Sequence, residues 1–305
     1  MTKKTNKVFM AVATGKVSTD APVVKRYIGI APVKVLAICP TKAELEKIYP
    51  NRDIDAEPTY VGEEEVDGQK IETARIDFIV EYKSKESDDS FISKISFFLK
   101  NKVTKSTSGK IQIIDKYGAT AWVTPAEFEA KSIPMYSNGP ANIDPDYRAC
   151  YPGEEYLTSF LKEYLVIPNR LMYKNKAWVA NTTVDPAECE VRLDHIADYF
   201  KGNFAEIRAV ATFQPNNEVK VMFGIKTTDE GKQYQDVFMQ KFLRNSASNY
   251  SYIDAALQER KQAGGYSHTE FEAVAVHEYT VAPTTFAKDS SKDALPFDAP
   301  ETPNW

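Results

Sequence analysis

The stretch FISKISFFLKNKVTKSTSGKIQIIDKYGATAWV, residues 91 to 123, interleaves cations with aromatic rings. Lys94, Lys100, Lys102, Lys105, Lys110 and Lys116 alternate with Phe91, Phe97, Phe98, Tyr117 and Trp122. A single nucleic-acid strand is held by this combination: cations follow the phosphates, and rings stack on the bases, each stack worth about 1 to 3 kcal/mol. Lys102, Lys105 and Lys110 fall in a Ser/Thr/Gly loop that can lie over such a strand. In an extended chain Phe97 and Phe98 point to opposite faces, so they cannot both be buried on one side and Phe98 is the candidate for stacking. The competing reading of the same residues is a half-buried strand pair with core phenylalanines and solvated lysines.

A second basic and aromatic stretch, EVKVMFGIKTTDEGKQYQDVFMQKFLRN, repeats the pattern with Lys220, Phe223, Lys226, Tyr234, Lys241 and Arg244 as candidate contacts. Other chemistries find less support. Cys189 and His195 stand on adjoining turns of an expected helix, with Cys150 far away, but no Cys-x-x-Cys or His-Glu-x-x-His spacing accompanies them, so no metal is expected. His195, His268 and His277 occupy ordinary helix, loop and strand contexts. TTDEGKQ fails as a phosphate loop, because Lys226 stands where the first glycine belongs and Gln233 replaces the Ser or Thr. Asp144 and Asp146 in NIDPDYR read as a turn. These residues imply neither an enzyme nor a cofactor.

The elements that must position these side chains are mostly strands in the first 123 residues. In ARIDFIVEY, Ile76, Phe78, Val80 and Tyr82 share one face, and Arg75, Asp77 and Glu81 the other. VVKRYIGIAPVKVLAI, FISKISFFLK, KIQIID and TAWVT read as further strands between turn clusters. TKAELEKIY is a helix opened by Thr41 and Glu44, a capping box. Thr124, Pro125 and Glu127 open another, and Asp185, Pro186 and Glu188 repeat the pattern before CEVRLDHIADYF. GEEYLTSFLKEYL carries an apolar stripe of Leu157, Phe160, Leu161 and Leu165. Strands are expected to return with AEIRAVATF, EVKVMFGIKT and QYQDVFMQKFLR, the first two joined by a turn at Pro215, Asn216 and Asn217. A helix near 251 to 262 stops at Gly264 and Gly265, and EFEAVAVHEYTV supplies a last strand. The expected fold is therefore α+β: a mainly antiparallel, barrel-like sheet with a helical insertion over about 124 to 203. Residues 1 to 286 form the core in this reading, and 287 to 305 a flexible tail.

Composition sets the limits. A hydrophobic content of 43% and an aromatic content of 12% in 305 residues suffice for a core. No apolar run approaches the ~20 residues that span a bilayer, so no membrane partner and a cytoplasmic location are expected. Three widely spaced cysteines, Cys39, Cys150 and Cys189, argue for reduced thiols rather than a disulfide framework. The net charge of −5 is unevenly spread. Residues 51 to 81 hold ten acids, whereas residues 91 to 116 hold six lysines against Asp115 alone, which implies segregated acidic and basic surfaces.

The chain ends KDALPFDAPETPNW. From Asp293 onward it has no cation, and Asp293, Asp298 and Glu301 are joined by Pro296, Pro300 and Pro303, which break helices and ladders. Such a segment is expected to be disordered. Leu295, Phe297 and Trp305 are the residues in it that a partner can grip. This layout resembles the single-stranded DNA-binding proteins of bacteria and tailed bacteriophages, which have an oligonucleotide-binding (OB) barrel with basic and aromatic hairpins and then an acidic tail with an aromatic tip. The tip in that family carries a Pro-Phe pair or a terminal aromatic. This sequence has Pro296-Phe297 and Trp305, but lacks a dense run of aspartates. The resemblance implies sequence-tolerant binding of single-stranded DNA in replication, recombination or repair, with Asp293, Leu295, Pro296, Phe297, Asp298, Glu301 and Trp305 recruiting a polymerase, primase or helicase. The alternative is a phage virion or assembly protein that uses the same surfaces against other proteins.

Overall fold

A computed structural model describes residues 25–280 apart from 67, 85–89, 138 and 214–215. The tail residues Asp293, Leu295, Pro296, Phe297, Asp298, Glu301 and Trp305 lie outside the described residues. Strand β1 (Lys25–Ile38) is the hub of the main sheet. Thr41 then caps α1 (Lys42–Ile48): its hydroxyl accepts the Glu44 N–H, and the Glu44 carboxylate accepts the Thr41 N–H at 2.7 Å. The acidic strand β2 (Val61–Val66) folds back on β3 (Gln69–Lys83), and β4 (Ser90–Lys100) pairs along β3 from Thr73↔Lys100 to Lys83↔Ser90.

A smaller sheet follows, from β5 (Ile111–Asp115), β6 (Thr120–Val123) and, after α2 (Pro125–Glu129) and the short hairpin of β7 (Met135–Tyr136) and β8 (Gly139–Pro140), β9 (Tyr147–Ala149). Helix α3 (Glu154–Tyr164) precedes the hairpin of β10 (Leu171–Lys174) and β11 (Ala177–Ala180). Asn175 and Lys176 form its two-residue turn, both at positive φ. A 3₁₀ turn (Pro186–Cys189), α4 (Ile196–Tyr199) and α5 (Ala205–Phe213) lead back to the main sheet. It is completed by β12 (Glu218–Thr227), β13 (Gln233–Val237), β14 (Leu243–Arg244), α6 (Ser251–Gln262), β15 (Thr269–Phe271) and β16 (His277–Thr280).

All strand-to-strand pairings in these sheets are antiparallel, and β1 meets β16, β12 and β3 along its length. The two sheet faces take different helices. On one face Val33, Ile76, Phe78, Phe97, Val221 and Phe223 pack with Leu157, Phe160 and Leu161 of α3. Phe160 lies 4.7 Å from Phe78 and 5.2 Å from Phe242 between ring centroids. On the opposite face α1 sets Leu45 and Tyr49 against Ile79 and Ile92, and α6 sets Ile253 and Leu257 against Ile30, Met222 and Phe238. The architecture is thus a mixed α/β layer structure with a mainly antiparallel sheet. The start of α3 is fixed by Gly153, at φ +86, where an added Cβ would overlap the Phe98 carbonyl of β4.

The expected mixed α and β, mainly antiparallel architecture is found; among the described residues the sheet runs in the order β13-β12-β1-β3-β2 with β4 also on β3, and no closed barrel is found there. Several other expectations are corrected. AEIRAVATF is α5 rather than a strand. Asn203 accepts the Ala205 N–H, Ala, Glu and Arg favour helix, and Phe204 and Ile207 bury a three-residue repeat. The hairpin expected around Asn216 and Asn217 is therefore a helix-to-strand connection. CEVRLDHIADYF is not one helix: after the 3₁₀ turn the chain is irregular, with Arg192 at φ 57, Val191 and Leu193 enter the core, and only Ile196–Tyr199 is helical. EFEAVAVHEYTV gives two short strands, β15 and β16, instead of one. The span 124 to 203 contains helices, but it also contributes β9 to the sheet of β5 and β6.

Candidate nucleic-acid interface

The loop from Asn101 to Lys110 runs alongside β5. Gln112 donates its N–H to the Thr104 carbonyl, Thr104 donates to Cys150, and Lys105 bridges to Ile111. Ser106 tightens the turn, accepting the Lys110 N–H at 3.0 Å. One strand further, Trp122 of β6 stands opposite Gln112 and is 40% exposed. Lys105 and Lys110 are exposed and Lys102 half-buried. None of the three ammonium groups takes part in an ion pair among the described residues. This corner therefore presents uncommitted cations beside an accessible indole, the pairing of groups that a single strand requires.

The other candidates of the first stretch are placed differently. Lys94 is enclosed on the outer face of β4, 3.6 Å from Asp77, which also accepts the Ser96 hydroxyl at 2.7 Å and lies 3.2 Å from Arg75. Burial pushes the Lys94 ammonium down to about 8. Lys100 is paired with Glu64 at 2.7 Å, and Lys116 with Glu190 at 3.1 Å. Phe98 is half-buried on the face opposite Phe97, as alternation requires. Tyr117 is buried, with the Arg170 guanidinium 4.3 Å above its ring. The expected segregation of charge is corrected as well. The acidic and basic runs are neighbouring strands, and pairs such as Asp77 with Lys94 and Glu64 with Lys100 neutralise each other across the sheet.

The second stretch is largely internal. Phe223 is 0% exposed and packs edge-on against Phe91 at 5.5 Å, so it cannot offer a face to a base; this corrects its assignment as a contact. Lys220 donates to the Ala247 carbonyl and sits 5.6 Å over Tyr250. Arg244 pairs with Glu163 at 3.0 Å and donates to the Ile167 carbonyl, tying β14 to the end of α3. Lys226 and Lys241 are half-buried, and Tyr234 of β13 is exposed. The structure therefore separates the stretch into structural cations and one open ring.

A cleft that the sequence did not reveal lies at the other end of the β5–β6 turn. Asp115 organises that turn, accepting the N–H groups of Tyr117 at 3.0 Å, Ala119 at 2.9 Å and Asp144 at 2.9 Å. Arg170 is steadied by Asp115 at 3.7 Å, Asp144 at 3.8 Å and the Asn142 carbonyl at 3.2 Å. Between them is a cleft of ≈ 270 Å³, lined among others by Tyr117, Asn142, Lys162, Asn169, Arg170 and Trp178. Burial lowers the Lys162 ammonium and raises the Cys189 thiol at the cleft wall. The sequence signal was faint because the lining comes from several separate segments. No group of His, Cys, Asp or Glu among the described residues is arranged to hold a metal ion, and no helix among them is long and apolar enough to cross a membrane. Compared with protein-family models, with curated proteins and with solved structures, the chain matches none.

Proposed function

We propose that the protein binds single-stranded DNA without sequence preference, through the loop of Lys102, Lys105 and Lys110 and the exposed ring of Trp122. The observation that carries this reading is the set of three lysines that make no ion pair among the described residues, beside an accessible indole, while Lys94, Lys100 and Lys116 of the same basic run are paired. In this reading the antiparallel sheet does the work of the barrel in oligonucleotide-binding folds, as a scaffold for a basic and aromatic loop. The chain would act in replication, recombination or repair, with residues 287 to 305 recruiting replication proteins. A second reading, a phage virion or assembly protein, is favoured by the exposed apolar side chains of two hairpins, Met135 and Tyr136 in one and Trp178 and Val179 in the other.

Fluorescence anisotropy with labelled oligo-dT, duplex DNA and RNA at two salt concentrations separates the two. Log affinity for oligo-dT should fall with log salt by about 0.7 per phosphate neutralised. Replacing Lys102, Lys105 and Lys110 with Ala should flatten that slope, and Trp122→Phe should remove part of the quenching on binding. No oligo-dT binding at ~50 mM salt overturns the reading in favour of a protein-binding role.

A further inference from the structure

The loop surface leaves the cleft beside the β5–β6 turn unused. Its volume, ≈ 270 Å³, is near the lower end of small-molecule sites, which excludes a large cofactor and suits one ring system. Its lining includes the Arg170 guanidinium, the Trp178 indole and the Tyr117 ring, all planar. The guanidinium lies 4.3 Å from the centre of the Tyr117 ring and is paired at 3.7 Å with Asp115, whose side chain is fully enclosed. Trp178 is 57% exposed on the β10–β11 hairpin. Asn142, Asn169 and Lys162 add donors and acceptors around the walls.

Charge does not make the cleft a general anion site. Asp115 and Asp144 offset Arg170 and Lys162, so planarity and hydrogen-bonding edges, rather than net charge, define what fits. The backbone at its rim is strained. Val166, a β-branched residue, has φ 56 where α3 ends, and this sharp reversal brings Asn169 and Arg170 back over the cleft. A small cleft lined by planar side chains and amide groups is how proteins hold a base splayed out of a strand.

We infer that this cleft takes one unstacked nucleobase, held between the Trp178 indole and the Arg170 guanidinium and read at its edge by Asn142 and Asn169. The inference rests on the single-strand reading, because the base would belong to the strand bound along the lysine loop.

The test uses the full chain with oligo-dT, oligo-dA and an abasic oligomer of equal length. Trp178→Ala, at an exposed site, should weaken oligo-dT or oligo-dA binding about tenfold with an unchanged salt slope, and should leave the abasic oligomer unaffected. Asn169→Ala should change the ratio between the two bases. If the oligomers bind but Trp178→Ala changes nothing, the cleft is not a base site and the loop reading stands. If no oligomer binds, equilibrium dialysis with dTMP and AMP decides: binding lost in Trp178→Ala keeps the base pocket without the strand, and no binding overturns it.

Discussion

Burial holds the Lys94 ammonium at about 8, below its usual range, even with Asp77 beside it. Burial moves the thiols the other way: Cys39 is pushed up to about 12, and Cys150 and Cys189 are raised too, all chiefly by desolvation. The two effects oppose each other in alkali. An unfolded thiol ionises at about 8.5, so above that pH the unfolded chain loses protons that the folded chain keeps, and stability falls. An unfolded lysine keeps its proton to about 10.4, so between about pH 8 and 10.4 Lys94 makes stability rise. Each group contributes up to about 1.4 kcal/mol per pH unit, and the three thiols outweigh Lys94 together with Lys162, whose ammonium burial also lowers. Stability measured by urea unfolding should therefore decline from pH 8.5 to 10. Cys39→Ala with Cys150→Ala should flatten the decline, and Lys94→Met should steepen it. A pH profile indifferent to the thiols would show that they are less enclosed than the structure indicates. Phe223 illustrates the same point for rings: whether a residue in a basic and aromatic stretch faces the core or the solvent is decided by burial, which residue type alone does not convey.

At the scale of elements, the contact of α3 with β4 depends on one backbone position. Gly153 combines a positive φ with direct contact to the Phe98 carbonyl, and α3 supplies Leu157, Phe160 and Leu161 to the core. Gly153→Ala should therefore cost about 3 kcal/mol or more in urea unfolding, since it adds backbone strain to a displaced helix. Gly109, also at positive φ but with open space where an added Cβ would stand, is the control and should lose less. An equal loss at both sites would mean that strain alone, not the close approach, sets the cost. The strands with period-two alternation and the helices with capping boxes were legible because their signals are local: Thr41 and Glu44, Thr124 and Glu127, Ile76 and Phe78. Helix α5 was not, because AEIRAVATF is short and apolar enough to satisfy both periods, and its burial against Phe204 and β1 decides between them. The lysine loop was legible as a composition, but the distinction between Lys105 and Lys100 was not, since Glu64 lies 36 residues away. The cleft was invisible for the same reason, as Tyr117, Lys162, Arg170 and Trp178 meet only in the fold.

At the scale of the whole molecule, folding cancels much of the charge that the sequence separates. The acidic run of 51 to 81 and the basic run of 91 to 116 become adjacent strands, so among the described residues the lysines of that basic run left outside ion pairs are Lys102, Lys105 and Lys110. So small a basic surface is sensitive to competition. Asp293, Asp298 and Glu301 carry negative charge with no cation between Asp293 and Trp305, and the same stretch holds Pro296, Pro300 and Pro303, a residue type whose fixed φ limits the entropy a segment loses on docking. In the proposed function these acids compete with phosphates for the loop, and DNA displaces them to release Phe297 and Trp305 to a partner. Among the described residues the sheet and its helical layers run from Lys25 to Thr280. Deleting residues 290 to 305 should therefore leave the thermal unfolding midpoint unchanged, tighten oligo-dT binding several-fold at ~50 mM salt, and leave it unchanged at high salt, where screening removes the competition. The deletion should also abolish capture of a purified polymerase, primase or helicase of the same replication system. Unaltered affinity at low salt would rule out the competition, and a lowered unfolding midpoint would make Phe297 or Trp305 a packing residue instead of a handle.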